Sequence, residues 1–535
     1  MRKSLKKLVV PLALVAMLLL GVVLGIRFSY SDLQRDITVT QRWSKLNVVL
    51  NLIKKNYVDT INEKTLEENS IAHLLKALDP HSTYISASQM NNANEALDGS
   101  FEGIGITFNM LTDTVVVVNT INGGPSQRVG VWAGDKIICI NDSVVAGKNV
   151  AQDSIVRLLR GKGGTKVKID VKRAGEKDLL PFTITRGKIP IKSVEAALML
   201  NSQIGYIKLS QFSRTTHAEF MSAVERLQAG NTMQSLVLDL RGNTGGFLDQ
   251  AFDVANEFFE KGTLLVYTEG KMRPRHNFIA DGKGNLSSVP LAVLIDEGSA
   301  SASEIVAGAI QDNDRGWVIG RRSFGKGLVQ EPINFNDGSG IRLTVARYYT
   351  PTGRCIQRPY TASEEEYYGE LVHRYEHGEM TNSDSIVQNK SLQYTTPQGK
   401  IVYGGGGITP DVFVAMDTLG TRNPFVQSVF RKNLPYKFAL QYADAHRAKL
   451  QKIETLSQLK RRYQRYDFVP AFVAYAAQQG VETKPTRLSL YTPLLNAHIK
   501  AYIGRSTHLD DNGFYTFLVP VDNTIQTAIQ TLKNK

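Results

Sequence analysis

The hydrophobic pattern of the chain changes several times and predicts a succession of domains. Near the amino terminus, apolar residues recur at helical spacing over 43–57 and again over 66–78, which predicts an amphipathic helical hairpin. From 98 to 186, short apolar runs alternate with glycine turns, a pattern typical of a small β-rich module. In the section that follows, short apolar runs alternate with segments whose apolar residues recur at helical spacing, which indicates a mixed α/β core.

Three apolar runs are expected to be strands of this core, because their length and composition are typical of strands buried on both faces. They lie at 204–209, 236–240 and 291–295. A helical pattern at 218–227 lies between the first two. A polar segment rich in Glu and Tyr, at about 361–400, interrupts the core as an insertion, and its sequence indicates no role.

Helical spacing dominates beyond residue 418, and the last strong helical pattern spans 524–532. This region predicts an accessory helical domain. Helical tails either cover a site or mediate assembly, so a regulatory adaptor protein and a homo-oligomer both stay open as partners.

A chain of 535 residues is too long for one hydrophobic core, and its 42% hydrophobic and 21% charged residues are ordinary for a globular protein. We therefore predict a multidomain α/β (α+β) protein. Its regions are a signal anchor or signal peptide at 1–30, an N-terminal helical region at 36–97, the β-rich module at 98–186, the α/β core at 187–417 and the C-terminal helical domain at 418–535.

The amino terminus carries the features of an export signal. Four basic residues within the first seven positions precede an almost uninterrupted apolar run at 8–25, a length shared by long signal-peptide cores and short membrane spans. No clear Ala-x-Ala cleavage site follows, which favours an uncleaved anchor over a cleaved signal peptide. Because the positive flank stays cytoplasmic, we expect the bulk of the protein to be exported to the periplasmic side of an inner membrane.

The net charge of +13 is concentrated in the last region, where residues 421–535 hold 17 Lys and Arg against 7 Asp and Glu. The densest run, 460–465, is either a solvated helix face, which we favour, or a surface for an anionic membrane or acidic partner. Export argues against nucleic acid. Of the two cysteines, Cys139 lies in an apolar run and is expected to be buried, and a disulfide with Cys355 is not favoured; no CxxC or HExxH motif indicates a metal.

The candidate chemistry lies between residues 291 and 330. After the strand at 291–295, a turn leads into three serines that alternate with small residues and precede a helical run. A serine at such a junction is well placed to be a nucleophile, because the free N–H groups of the helix start can stabilise an oxyanion. Glu304, in the first helical turn, is expected at most to complement the helix dipole.

The next polar group that could act as a base is Lys326, between two glycines. A lysine is a base only when it is neutral, so burial or a neighbouring cation must lower its pKa, and Arg321 and Arg322 are candidates for that cation. Gln330 could orient the amine without adding a charge that would raise this pKa. A Ser-His-Asp triad has little support, since no histidine has a nucleophile-like context, and His81 is expected to cap a turn.

The run 299–304, SASASE, followed by FGKG at 324–327 and by Gln330, closely resembles the carboxy-terminal processing peptidases, also called tail-specific proteases. The similarity extends from about residue 78 to residue 412, and the glycine-rich run 404–412 resembles the closing strand of the family's core. In that family the middle serine is the nucleophile and precedes the catalytic lysine by 25 positions, which selects Ser301 and Lys326 here. The resemblance also implies a Ser-Lys-Gln arrangement, a crotonase-like protease core and no cofactor.

The resemblance further implies where the oxyanion would bind. Gly245-Gly246 follows the strand at 236–240, and paired glycines let a backbone N–H approach a ligand closely, although an isolated pair is more often just a tight turn. The family pattern assigns one donor to Gly246 and the other to Ala302, beside the nucleophile.

The β-rich module resembles a PDZ domain. The segment FEGIGI at 101–106 is similar to the PDZ carboxylate-binding loop, and the segments 123–137 and 158–167 are similar to its later elements. Successive N–H groups of glycines and small residues form a nest for a terminal carboxylate, and the strand at 104–108 can pair with an extended peptide. The expected peptide-binding residues are Gly103, Ile104, Gly105 and Ile106.

The sequence therefore predicts an exported serine endopeptidase that binds the carboxy-terminal tails of proteins and cleaves them through an acyl-enzyme. A noncatalytic PDZ scaffold with a protease-like fold is the alternative, and the full Ser301, Lys326 and Gln330 set argues against it. A crotonase-like acyl-CoA enzyme would share the oxyanion geometry, but it does not explain the PDZ module or the predicted export.

Overall fold

The computed structural model describes residue 17 and residues 44–111, 113–121, 123–229, 233–360, 364–481 and 486–534. The predicted signal segment thus lies outside the described residues, except for Met17. Within the described ranges, no helix combines the length and the apolar content needed to cross a membrane.

The chain forms two compact units that meet between Leu74 and Leu75. The first holds the two predicted helices, α1 (Ser44–Asn56) and most of α2 (Glu63–Lys76). Lys54 and Glu63 join them through an ion pair of 2.6 Å. The second unit contains everything that follows, including all the residues of the candidate site.

The second unit enters the β-rich module through β1 (Thr83–Ile85), α3 (Ala87–Asp98) and β2 (Ser100–Gly103). The module consists of β3 (Ile106–Leu111), β4 (Thr114–Thr120), α4 (Pro125–Arg128), β5 (Lys136–Ile140), β6 (Ser143–Val144), α5 (Gln152–Leu159), β7 (Lys166–Lys172) and β8 (Leu180–Thr185), and the chain leaves it by β9 (Gly187–Pro190). The sheet order is β3-β4-β5-β7-β8, so β3 is an edge strand. Strand β9 pairs with β2 and closes the module at its base.

The α/β core follows in chain order. Its elements are β10 (Val194–Met199), β11 (Ile204–Leu209), α6 (Thr216–Ala229), β12 (Ser235–Asp239), α7 (Leu248–Asn256), β13 (Leu264–Gly270), β14 (Arg273–Ile279), β15 (Leu291–Ile295), α8 (Ala302–Asp312), β16 (Trp317–Gly320), β17 (Leu328–Asn334), β18 (Gly340–Tyr349), α9 (Glu364–Glu376), β19 (Gln393–Thr395), β20 (Ile401–Tyr403) and β21 (Val412–Phe413). The central sheet has the order β10-β11-β12-β15-β16-β21 and is parallel from β11 onward. A second, antiparallel sheet contains β1, β13, β14, β17 and β18.

The helical tail is built from α10 (Pro424–Arg431), α11 (Leu434–Ala445), α12 (Arg447–Leu450), α13 (Leu456–Tyr463), α14 (Val469–Gln478), α15 (Leu488–Arg505), α16 (Asp510–Leu518) and α17 (Asn523–Lys533). Most of these helices share a hydrophobic cluster of their own. The last one does not, because its apolar residues pack against the central sheet.

Both faces of the central sheet are therefore covered. Side chains of a strand alternate between faces, and Leu236 and Leu238 of β12 pack with α6, α7 and α8, whereas Val237 faces the other way. On that second face the sheet packs against Ile525 and Ala528 of α17. Helix α17 is thus one layer of the α/β core.

Two sequence expectations differ from the structure. The glycine-rich run before residue 412 was expected to be the closing strand, but only Val412–Phe413 pairs with the sheet, because Gly405 and Gly407 take left-handed conformations that a strand cannot contain. Cys139, expected to be buried, is half-buried, since it lies in β5 next to the short outer strand β6; both cysteines are free.

Candidate active site

Ser301 lies at the junction between β15 and α8, immediately before the first helical residue. Its φ of 55° and ψ of −115° are unfavourable for a residue with a side chain. Such a conformation costs about 1–3 kcal/mol and persists only where neighbouring contacts hold it. Hydrogen bonds with Glu304 and Tyr348 hold Ser301 in this conformation.

The side chain of Glu304 makes the first of these hydrogen bonds. One carboxylate oxygen, Oε2, accepts the backbone N–H of Ser301 at 2.8 Å and the backbone N–H of Lys326 at 2.9 Å. The other oxygen, Oε1, accepts the hydroxyl of Ser323 and the N–H of Gly325. One carboxylate therefore ties the turn of the candidate nucleophile to the loop of the candidate base.

Glu304 has no exposed surface, and its burial has an electrostatic consequence. Burial raises the pKa of Glu304 to about 7, although the hydrogen bonds from Ser323, Lys326, Gly325 and Ser301 oppose that rise. The sequence alone gave Glu304 only the role of a first-turn acid. Its contact with Ser301 is a capping box, which is a local pattern. Its other partners, Ser323, Gly325 and Lys326, follow it by about twenty positions, and no local pattern indicates that they meet it.

The hydroxyl of Tyr348, in β18, makes a second link between the same two residues. It lies 2.6 Å from the carbonyl oxygen of Lys326 and 3.1 Å from that of Ser301. The ring is fully buried, so these contacts are shielded from water. The backbones of Ser301 and Lys326 are thus joined at their amides by Glu304 and at their carbonyls by Tyr348.

The amine of Lys326 is oriented by Gln330. Lys326 Nζ donates a hydrogen bond of 2.8 Å to Gln330 Oε1, and the amide nitrogen of Gln330 donates to the backbone carbonyl of His81. Asp79 in turn accepts the N–H groups of His81 and Ser82. His81 therefore contributes through its carbonyl group, in the turn where the sequence expected it.

The environment of Lys326 favours its neutral form. Burial lowers the pKa of Lys326, and the charge of Arg342 lowers it further, while Asp79 and Glu304 act in the opposite direction. The cation was expected to be Arg321 or Arg322. Those two arginines instead form ion pairs with Glu297 and Glu379, respectively, and Arg342 comes close because β18 forms a hairpin with β17.

Ala302, one candidate oxyanion donor, directly follows Ser301, and Gly245, which precedes the other candidate Gly246, lies against the same turn. A Cβ placed on Gly245 would come within 3 Å of both the Cβ of Ser301 and the nitrogen of Ala302, so only glycine fits this approach. Among the described residues, no hydrogen bond engages the N–H of Gly246 or that of Ala302. Both predicted donors are therefore free to bind a ligand oxygen.

The loop that carries these glycines is tied to the nucleophile turn. The carbonyl of Asn243 accepts the N–H of Ala300 at 3.0 Å and the hydroxyl of Ser303 at 2.8 Å, and the hydroxyl of Ser299 donates to the carbonyl of Leu240 at 2.9 Å. Two of the three serines thus serve the structure. The hydroxyl of the middle one, Ser301, donates to no acceptor among the described residues.

The predicted carboxylate loop of the PDZ module connects β2 to the edge strand β3. Gly103, Ile104 and Gly105 are buried, Ile106 is half-buried, and Gly105 has a φ of +72°. The hydroxyl of Ser126, in α4, donates to the carbonyl of Ile104 at 2.6 Å, and this hydrogen bond anchors the loop to α4. The outer edge of β3 pairs with no other strand in the part of the chain that the structure describes.

The polar insertion packs against the loop that precedes Lys326. Arg374, in α9, donates to the carbonyl oxygens of Arg322 and Ser323, and Glu379 forms ion pairs with both arginines. The aromatic ring of Tyr367 lies edge-on to those of Phe324 and His81. The insertion therefore covers the segment that carries Lys326, a role its composition did not reveal.

Comparison with known sequences places three segments in described families. Residues 203–365 match peptidase family S41, residues 103–184 match the PDZ domain, and residues 425–508 match a family of unknown function, DUF8443.

Individual relatives agree with these matches. The carboxy-terminal processing protease CtpA of Bacillus subtilis (strain 168) is 34% identical over 322 residues, which cover 60% of this chain and 68% of the relative. The carboxy-terminal-processing protease of Bartonella bacilliformis is 37% identical over 308 residues, which cover 57% and 70%. Among solved structures, a photosystem II D1 C-terminal processing protease aligns with 27% identity and a TM-score of 0.36, covering 71% of this chain and 89% of that one.

Replacing Glu304 by glutamine tests its role in holding the site. In this variant an NH2 group replaces one of the two carboxylate oxygens, and it cannot accept the two N–H or O–H donors that this oxygen binds. We expect the turn of Ser301 or the loop of Lys326 to shift and kcat for peptide cleavage to fall about 100-fold, the order expected from a displacement of about 1 Å. The control is Glu219→Gln, since Oε2 of Glu219 also accepts two backbone N–H groups, those of Ser193 and Val194. Equal losses in the two variants would contradict a specific role for Glu304.

The pH profile of kcat/KM tests the environment of Lys326. Arg342→Gln removes the cation that lowers the lysine pKa, so this pKa rises and a smaller fraction of Lys326 is neutral at pH 7. We expect the rising limb of the profile to move to higher pH. Arg321→Gln, which removes a cation paired with Glu297, should leave the limb in place. A shift in the control but not in Arg342→Gln would show that the wrong arginine has been identified.

Proposed function

The chain belongs to the carboxy-terminal processing proteases of peptidase family S41, and we propose that it is an exported endopeptidase that uses a Ser-Lys mechanism on proteins whose carboxy-terminal tails bind its PDZ domain. It is a serine-type peptidase. The observation that carries the finer proposal is the double link between Ser301 and Lys326, through Glu304 Oε2 and through the hydroxyl of Tyr348.

In the proposed cycle, neutral Lys326 accepts the hydroxyl proton of Ser301 as the oxygen attacks the scissile carbonyl. The tetrahedral oxyanion accepts hydrogen bonds from the N–H groups of Gly246 and Ala302. The lysine ammonium then protonates the leaving amine, and an acyl-enzyme remains on Ser301. A water molecule, deprotonated by Lys326, hydrolyses this ester and restores the serine.

Three features support these roles. The burial of Lys326 favours the neutral base, and Gln330 directs its amine without adding a charge. The strained backbone of Ser301 keeps the residue on a sharp turn in front of a helix, where the N–H of Ala302 has no partner among the described residues. A general base and one oxyanion donor each contribute about 10²-fold or more to such reactions.

The PDZ module supports the proposed substrate class, which is protein with an accessible carboxy terminus. An extended tail would add a strand to the outer edge of β3, and its terminal carboxylate would meet the backbone of residues 103–106. Export of the enzyme is proposed from the basic and apolar sequence of residues 2–25, which lies outside the described part of the chain apart from Met17.

Ser301→Ala and Lys326→Ala, made in the full chain, test the mechanism. We expect each to reduce cleavage of an unfolded polypeptide about 1,000-fold or more, since removal of the nucleophile or its base abolishes acylation. Ser303→Ala should keep measurable cleavage, because the Ser303 hydroxyl donates a hydrogen bond to the carbonyl of Asn243 and takes no part in the proposed chemistry. Cleavage by Ser301→Ala at the rate of the unaltered protein would refute the assignment.

Amidation of the substrate's carboxy terminus tests tail recognition. A hydrogen-bonded charge is worth about 10- to 100-fold in binding, so the amidated substrate should have a KM higher by that factor. Gly105→Ala should remove this preference, because its φ is +72° and the new methyl group would press on Ile189. Gly123→Ala is the matched control, with a φ of +70° but open space around it. An unchanged preference in Gly105→Ala would exclude the loop at 103–106 as the carboxylate site.

A further inference from the structure

The carboxyl-terminal helix α17 lies against the protease core and brings a charged residue to it. Its apolar side packs on the second face of the central sheet, where Leu532 joins Ile525 and Ala528. The residue just before the helix, Asp522, caps it: Oδ1 accepts the N–H of Ile525 at 3.0 Å. The packing of the helix therefore fixes the place of Asp522.

The carboxylate of Asp522 also contacts the guanidinium of Arg241. Nη1 of Arg241 donates to Oδ1 at 3.1 Å, and Nη2 lies 2.9 Å from Oδ2. Both side chains are mostly shielded, with 18% of Arg241 and 26% of Asp522 exposed. A paired, bidentate contact of this kind restricts the direction of the arginine as well as neutralising it.

Arg241 reaches a second carboxylate, Asp239, at the end of β12. Its Nε and Nη2 donate to Asp239, which is fully buried and also accepts the hydroxyl of Tyr206 at 2.8 Å. Burial would raise the pKa of Asp239, but the charges of Arg241 and Lys208 hold it well below its usual range. The charges of two carboxylates, Asp239 and Asp522, are thus balanced by those of two cations, Arg241 and Lys208. Asp522 is the member of this cluster that comes from the helical tail.

The cluster sits at the start of the glycine loop. Lys208 Nζ donates to the carbonyl of Arg241 at 2.8 Å, and the next residue, Gly242, donates its N–H to Asp296 at 2.8 Å. Five positions after Arg241 comes Gly246, whose N–H is the proposed oxyanion donor. The contacts that orient the Arg241 side chain therefore also help to determine the path of the loop that leads to Gly246.

We propose that Asp522 is a positioning residue for peptide-bond cleavage: by holding Arg241, it fixes the loop that presents the Gly246 N–H to the oxyanion. This rests on the function proposed above. The carboxyl-terminal segment acts on the reaction through this contact, in addition to completing the fold. The residue itself touches neither substrate nor nucleophile.

Substitutions at Asp522 separate its two contacts. Asp, Asn and Ser are about equally good at capping a helix, so a capping role alone predicts equal activity for Asp522→Asn, Asp522→Ser and the unaltered protein. Asparagine retains one acceptor for Arg241 and no charge, and serine is too short to reach it. The positioning role therefore predicts a graded loss, smaller for asparagine and larger for serine.

The full chain is assayed on a peptide substrate, with kcat and KM measured separately and with a peptide boronate as a tetrahedral inhibitor. For Asp522→Ser we expect kcat to fall about 10- to 100-fold, a part of the effect of losing a whole oxyanion donor, with KM within about twofold. The inhibition constant of the boronate should rise by the same factor as kcat/KM falls, because its adduct uses the same donors.

Two controls make the outcome decisive. Thr455→Ala removes the side-chain cap of α13, whose contacts do not involve Arg241, and should leave kcat unchanged. Asp522→Ser with kcat and boronate inhibition within twofold of the unaltered protein would overturn the proposal, as would an equal loss in Thr455→Ala. Should Asp522→Ser fold poorly, Asp522→Asn carries the same comparison.

Ser301→Ala, measured in the same assay, separates this proposal from the proposed function. If Ser301→Ala cleaves as well as the unaltered protein, the Ser-Lys function itself fails. If it is inactive while Asp522→Ser and Asp522→Asn are fully active, only the role of Asp522 fails.

Discussion

A single buried oxygen atom governs the geometry of the site. Oε2 of Glu304 accepts the amides of Ser301 and Lys326, so neither backbone can move without breaking a hydrogen bond where no water can replace it. The strained turn of the serine and the burial of the lysine both depend on this rigidity. Tyr348 adds the same constraint at the two carbonyls. The protein thus holds the two residues by their backbones and leaves the serine hydroxyl without an acceptor in the described chain.

The central sheet explains why distant segments meet there. Strands β12, β15 and β16 are parallel neighbours, so the loops that follow them emerge at one edge, the usual location of sites in such sheets. These loops carry Gly246, Ser301 and Lys326 in that order. The second sheet supplies what the loops lack, since β17 and β18 contribute Gln330 and Tyr348.

The sequence was most informative where a property is local. The strands at 204–209 and 291–295 were predicted to the residue, because an apolar run of that length has few alternatives. Ser301, Lys326 and Gln330 were found from a spacing shared with a family, and their roles remain proposals. Glu304 and Arg342 could not be found in this way. Their effects depend on which charges and amides the tertiary fold brings close, and Arg321, nearer in sequence to the lysine, turned out to pair elsewhere.

The packing of α17 on the central sheet joins parts of the chain that are far apart in sequence. Ile525 and Ala528 share an apolar cluster with Val237, Ala292 and Leu294, which lie far earlier in the chain. Contacts between such distant residues form slowly, because a long loop must close before they can be made. The α/β core that carries the candidate site and the helix α17 therefore belong to one cooperative unit, whose folding depends on a long-range contact as well as on local elements.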